Sequence, residues 1–255
     1  MHIKLTWYVK RKLLTVLITT LITLSLTNGV KIMDVNGDFS KRVLLHSDEI
    51  EWEDSPMKGV DRRRLDRIDN EADRVTTIVR YVPESSFSPH VHTGGEEFIV
   101  LEGIFEDDYG NWPTGSYIRN PPTSRHQPGS KDGCIIFVKL SQFQPDDRTF
   151  VHIDMNKIGS VSDANRTGVK VTPLYKDDYE DVRLEYWEPN TTVEVDTAGG
   201  AEFFVLDGGF TENGEELRKE SWLRVPVNTT VTAKTGEQGA KVWIKSGHLI
   251  SPVNG

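Results

Sequence analysis

Residues 88–105 read SPHVHTGGEEFIVLEGIF, and residues 193–210 read VEVDTAGGAEFFVLDGGF. Gly94, Gly95, Glu97, Phe98, Val100, Leu101, Gly103 and Phe105 return at the same spacing as Gly199, Gly200, Glu202, Phe203, Val205, Leu206, Gly208 and Phe210. Outward from this stretch, SYIRNP at 116–121 returns as SWLRVP at 221–226 with an unchanged offset. GCIIFVK at 133–139 returns as GAKVWIK at 239–245, displaced by one further residue. Three matches in one order and nearly one register mark an internal duplication.

Each copy is a series of short runs of Val, Ile, Thr, Phe, Tyr and Trp, broken by turn clusters such as 108–111 and 212–214. Such runs read as strands, and the chain after its N-terminus shows little helical periodicity. Many short strands per copy predict an all-β, antiparallel sandwich or barrel built twice. A polar, turn-prone segment at 163–168 places the junction within 148–168. The expected division is a leader over 1–32, a first domain over 33–150 and a second over 151–255.

The leader differs from all that follows. Lys4, Lys10, Arg11 and Lys12 precede a charge-free stretch, 13–30, rich in Leu, Ile, Val and Thr. A basic segment before an apolar one reads as a signal peptide or an uncleaved anchor. Export or membrane anchoring is therefore the expected localisation. If translation starts at Met33, the leader is an upstream artefact and the alternative is cytoplasmic.

The 255 residues carry a net charge of −9, which disfavours a nucleic-acid partner. The basic run Arg62, Arg63, Arg64 is interleaved with Asp61, Asp66 and Asp69 and reads as a solvated surface strand or turn. A single cysteine, Cys134, excludes intrachain disulfides and Cys-rich zinc sites. It lies in an apolar run and reads as a small buried thiol.

The chemistry concentrates at His90, His92, Glu96 and His126. In a strand, residues two apart share a face, so His90 and His92 point together. The Gly94-Gly95 turn returns the chain, and Glu96 opens the next strand on the face of Phe98 and Val100. Neutral imidazole and carboxylate both ligate divalent first-row ions, and His126, after Pro121-Pro122, supplies a fourth donor. The duplication acts as an internal control. The matching positions of the second copy are Val195, Thr197, Ala201 and Val231, so all four donors are absent together. Glu97 and Arg119, outside the set, persist as Glu202 and Arg224. Joint loss is what a shared ligand sphere predicts, because a partial set binds weakly and leaves buried polar groups unsatisfied. Parity and this loss both select Glu96 over Glu97. The remaining histidines, His2, His46, His152 and His248, are scattered and read as structural or surface residues.

The pattern His90-x-His92-x3-Glu96-x6-Gly103, followed by Gly115-x5-Pro121-x-Thr123-x2-His126, resembles the two cupin motifs. Thr123 and Glu84 stand where glycine is usual, and Ser130 where asparagine often closes the second motif. More closely, the Gly-Gly-Glu-Glu-Phe-x-Val-Leu-Glu-Gly run, Arg119-Asn120-Pro121-Pro122 and Gly133-Cys134 resemble the cupin domain of ChrR-type anti-sigma factors and their two-cupin relatives. The resemblance implies two tandem cupin domains, each a small jelly-roll β-barrel, forming a bicupin. It further implies one divalent metal ion, Zn(II) or Fe(II), held by three histidines and a glutamate in the first. ChrR-type proteins carry a helical His/Cys zinc domain that this chain replaces with its leader, so sigma-factor inhibition is not expected.

Two functions stay open at this point. One is metal-dependent sensing or binding of a small molecule or oxidant. The other is Fe(II)-dependent dioxygenase cleavage of a small carbonyl or diketone compound, with substrate beside Phe98, Tyr117 and Phe137 if those rings face inward. The expected partners are a small-molecule ligand, with a homodimer and a membrane anchor left open.

Overall fold

The structure is a computed structural model that describes residues 34–68 and 74–250. The expected leader lies outside these residues. Among the described residues no helix is long and apolar enough to cross a membrane, and the one helical turn is the 3-10 segment Ser47–Glu49.

The strands form two large antiparallel sheets within one unit, Asp34–Gly255. The first runs Val151–Asp154, Ser116–Asn120, Glu96–Asp107, Cys134–Leu140, Arg74–Tyr81, Val60–Ile68, Glu53–Asp54. The second runs Val43–His46, Ser221–Val225, Ala201–Glu212, Thr229–Ser246, Asp181–Trp187, Val169–Lys176, Val161–Ser162. The order of equivalent strands is the same, as the repeated sequences require. Even the irregularities recur. Pairing skips Leu101 between Val100 and Glu102 and Leu206 between Val205 and Asp207. The following glycines, Gly103 and Gly208, take φ +72° and +63°. A Cβ there would lie 2.1 Å and 2.2 Å from the carbonyl oxygens of Gly133 and Gly239. That close approach explains why glycine ends the run in both copies.

The outermost strand of each sheet next to the Ser116–Asn120 or Ser221–Val225 strand comes from the opposite half. Val43–His46 pairs with Ser221–Val225, and Val151–Asp154 pairs with Ser116–Asn120. Backbone pairing thus crosses the 150/151 junction in both directions.

Alternation along Glu96–Asp107 sorts its side chains to two cores. Phe98 and Val100 pack with Ile118, Ile136 and Val138 inside the first half. Ile99 joins Tyr117, Phe137, Phe204, Trp222 and Trp243 in a core between the sheets. Phe137 stacks on Phe204 with centroids 4.6 Å apart. Each such fully buried side chain contributes about 1.5–3 kcal/mol. The dioxygenase reading places Tyr117 and Phe137 beside a substrate only if their rings face inward. They lie instead on the opposite pleat face and serve the seam between halves.

A reciprocal ionic clasp runs through this seam. Lys245 Nζ of the second half donates to Glu97 Oε2 at 2.7 Å, and Lys139 Nζ of the first donates to Glu202 Oε2 at 2.6 Å. Tyr117 and Trp222 donate to the same two carboxylates, and His248 Nε2 lies 2.9 Å from Glu202 Oε1. Both lysines are wholly buried, where an unpaired charge would be strongly destabilising. Glu97 and Glu202 persist in both copies because they hold the halves together.

Candidate metal centre

The three-residue strand His90–His92 pairs with Ser124–His126, setting His126 opposite His90 and Ser124 opposite His92. The Pro121-Pro122 turn and Thr123, at φ 72°, deliver the second strand. Thr123 and Glu84 (φ 61°) both hold left-handed backbone. That conformation is uncommon for any side chain other than Gly, Asn or Asp, and an outlier for a β-branched one.

One nitrogen from each of His90, His92 and His126 lies within 4.8 Å of the others. His92 Nε2 and His126 Nε2 are 2.8 Å apart. Glu96 Oε2 lies 3.5 Å from each of these nitrogens. It accepts a hydrogen bond from Asn120 Nδ2 at 3.2 Å. Glu97, its neighbour, points away into the seam.

These donors fit a divalent ion. His126 Nδ1 donates to Asp107 Oδ2 at 2.9 Å, and His90 Nδ1 donates to the Ser88 carbonyl at 3.0 Å. Each bond commits Nδ1 and leaves a bare Nε2 lone pair, the tautomer a metal requires. Two imidazole nitrogens at 2.8 Å suit a shared cation, since metal–nitrogen bonds of about 2.0–2.1 Å place two ligands about 3 Å apart.

The histidines differ electrostatically. Burial pushes His92 below its ordinary pKa, favouring the neutral ring. Burial also opposes a charge on His126, but the Asp107 hydrogen bond and the Glu96 and Asp107 charges outweigh it and raise the pKa. Asp107 resists its own burial through hydrogen bonds from His126, Trp112 and the Tyr109 amide, and stays below the ordinary carboxylate range.

Asp107 escaped the sequence reading. It ends the strand that Glu96 begins, and its counterpart by offset is Glu212, so the exchange looks conservative. Glu212 instead holds Arg42, with Oε2 2.6 Å from Nη2. Only the partner reveals the difference.

The histidines border a cavity of about 270 Å³. Val75, Val79, Phe87, Ile136, Val138 and Leu140 form its apolar wall. Phe87 and Phe105 stand 6.1 Å and 6.0 Å from the His90 and His126 rings. Arg62, expected on the surface, lines this cavity. Asp66, from the same expected solvated run, is buried and bonds Arg224 at 3.0 Å. The strand Val60–Ile68 therefore has two occupied faces. Cys134 packs in the first-half core, where burial raises its thiol pKa to about 11 and leaves it inert.

Residues 40–144 match the family model of the ChrR cupin-like domain. Solved structures share the fold at low identity. A candidate dioxygenase from Nostoc punctiforme PCC 73102 is 14% identical with a TM-score of 0.70, covering 83% of this chain and 85% of that one. The pirin YhhW of Escherichia coli, in complex with nickel(II), is 16% identical with a TM-score of 0.58, covering 80% and 98%. A cupin 2 conserved barrel domain protein from Leptotrichia buccalis is 11% identical with a TM-score of 0.55, covering 84% and 99%. No curated protein matches the chain. The fold is a cupin fold, and residues 40–144 are similar to the ChrR cupin-like domain.

Proposed function

We propose that the chain is a bicupin whose first barrel binds one divalent metal ion, Zn(II) or Fe(II), through His90, His92, His126 and Glu96. The ion anchors a small molecule in the adjoining cavity, and the second barrel is metal-free. The observation that carries this is the convergence of three imidazoles within 4.8 Å beside an apolar cavity. Once bound, the ion supplies Lewis-acid or oxygen chemistry at positions the four donors leave open. The protein's own residues orient and shield. Asp107 and the Ser88 carbonyl fix two ring tautomers, Asn120 holds Glu96, and the Phe87 and Phe105 rings exclude water.

A dioxygenase acting on a small carbonyl compound is the second reading. Four donors around an ion that accepts five or six leave room for one or two further ligands, and one wall of the cavity is apolar. Elemental analysis of protein purified from 33 onward, without added metal or a histidine tag, tests the first reading; one equivalent of a divalent ion is expected. Absence of any ion after loading with Zn(II) or Fe(II) would overturn it. Iron in the protein, with oxygen consumed on adding a 1,3-diketone, would select the second.

A further inference from the structure

Among the described residues, Arg62 is a cation without a counter-ion. It extends from the strand Val60–Ile68, opposite Val79, into the cavity beside the histidines. Its Nε is buried without a hydrogen-bond partner, and no carboxylate pairs with its guanidinium among the described residues. Burial disfavours its charge, and the charges of Arg64 and Arg67 add to that effect. The Nε atoms of Arg63, Arg74, Arg119 and Arg224 are also buried without a partner, but at Arg42 and Arg80 the same guanidinium edge holds a carboxylate. Arg42 binds Glu212 through Nε and Nη2, and Arg80 binds Asp61 through the same two nitrogens.

Tyr81 shares this cavity with Arg62, His90, His92 and Glu96. Its hydroxyl has no hydrogen-bond partner among the described residues, and its ring lines the same cavity. Edge contacts with Phe87 at 5.4 Å and Phe105 at 5.7 Å hold that ring in place.

The second half shows what happens when such a site is given up. By strand register, Arg62 opposite Val79 becomes Val171 opposite Glu185, and Tyr81 becomes Trp187. There the Trp187 Nε1 proton goes to Glu185 at 2.7 Å, and Arg166 and Arg183 neutralise that carboxylate. The free cation and the free hydroxyl are gone from the half that lacks the clustered imidazoles.

We propose that Arg62 and Tyr81 form an anion subsite in the first-half cavity. The small molecule bound there is a carboxylate with an apolar body, its carboxylate on the Arg62 guanidinium and its far end towards the histidines. An unpaired, half-buried guanidinium is unfavourable by itself and is retained where a ligand anion completes it. The apolar wall takes the body of the ligand, and the cavity volume of about 270 Å³ restricts it to less than drug size. The subsite rests on the metal reading only for the ligand's second anchor.

The test uses benzoate and its neutral counterpart benzamide, titrated calorimetrically into Zn(II)-loaded and metal-depleted protein. Benzoate is expected to bind the wild type at least tenfold more tightly than benzamide. Arg62→Gln should retain its metal equivalent and lose that preference, and Arg62→Lys should recover part of it. Arg62→Met should melt at or above the wild-type temperature, because it removes an unpaired charge; a purely structural arginine would give the reverse. Equal affinity for benzoate and benzamide, or an Arg62→Gln protein that loads metal and still prefers benzoate, overturns the proposal. Protein that takes up no metal yet prefers benzoate through Arg62 would end the metal reading and support the subsite.

Discussion

The two halves share strand order and register but not the contents of one small strand pair and the residue that opens the next strand. In the first, His126 faces His90, and His92 meets both His126 and Glu96. In the second, Val231 faces Val195 at the equivalent pair, and Thr197 and Ala201 complete the set. All four are buried, and Thr197 Oγ1 donates to the Thr229 carbonyl. One backbone therefore supports either convergent lone pairs or a closed apolar core. Convergent lone pairs are unfavourable until something fills them. The apolar version needs no ligand, and its buried Val195, Ala201 and Val231 belong to the second-half core.

The largest effect should come from removing a donor. His92→Ala is expected to abolish the stoichiometric ion, whereas Thr197→Ala should leave metal content unchanged. Plasma mass spectrometry of both variants decides it, and a full equivalent in His92→Ala would remove that residue from the site.

Next comes the clasp, where the halves are alike. Lys139→Met leaves buried Glu202 without its ammonium partner and should lower stability by about 3–5 kcal/mol. Lys245→Met should act similarly through Glu97. Denaturant titration should show one transition for both halves; two transitions would mean that the seam does not couple them. Acid offers a second reading of this seam. Burial opposes the Glu97 charge, but Lys245 and Arg119 outweigh it and lower its pKa from 4.5 to about 2. The contribution of Glu97 is then complete above about pH 4.5 and drains as pH falls towards 2, since the unfolded chain takes up the proton first. Glu97→Gln should flatten that part of the stability profile.

A smaller effect is expected at Asp107. Asp107→Asn should weaken metal binding about 10–100-fold by releasing the His126 ring, while Glu212→Gln leaves it unchanged. Competition with a chromophoric chelator measures both. The smallest change concerns Thr123, at φ 72°, against Asn228 at 59°. Thr123→Gly should stabilise by about 1 kcal/mol, because a β-branched residue is strained there. Asn228→Gly should move the melting temperature less.

Much of this contrast is legible in the sequence alone. The four donors stood out because the second copy lacked them together, and alternation separated Glu96 from Glu97. Both signals are local, so they survive in a linear string. What escaped was non-local. Alternation says that Phe98 and Phe137 lie on some face, but not that Phe137 meets Phe204 across a seam. Arg62 looked solvated because its neighbours are charged, although the opposite sheet face encloses it. Lys139 and Lys245 were visible as repeats, yet their partners lie in the other half.

The strands Val43–His46 and Val151–Asp154 each close the sheet of the other half. A solitary half would present a bare hydrogen-bonding edge along Ser116–Asn120 or Ser221–Val225, the kind of edge that recruits another chain. Cutting at 150/151 should therefore yield a fragment that associates with its own copies, each lending the other its N-terminal strand. The duplicated chain is in effect such a pair on one polypeptide, with the exchange partner always at hand.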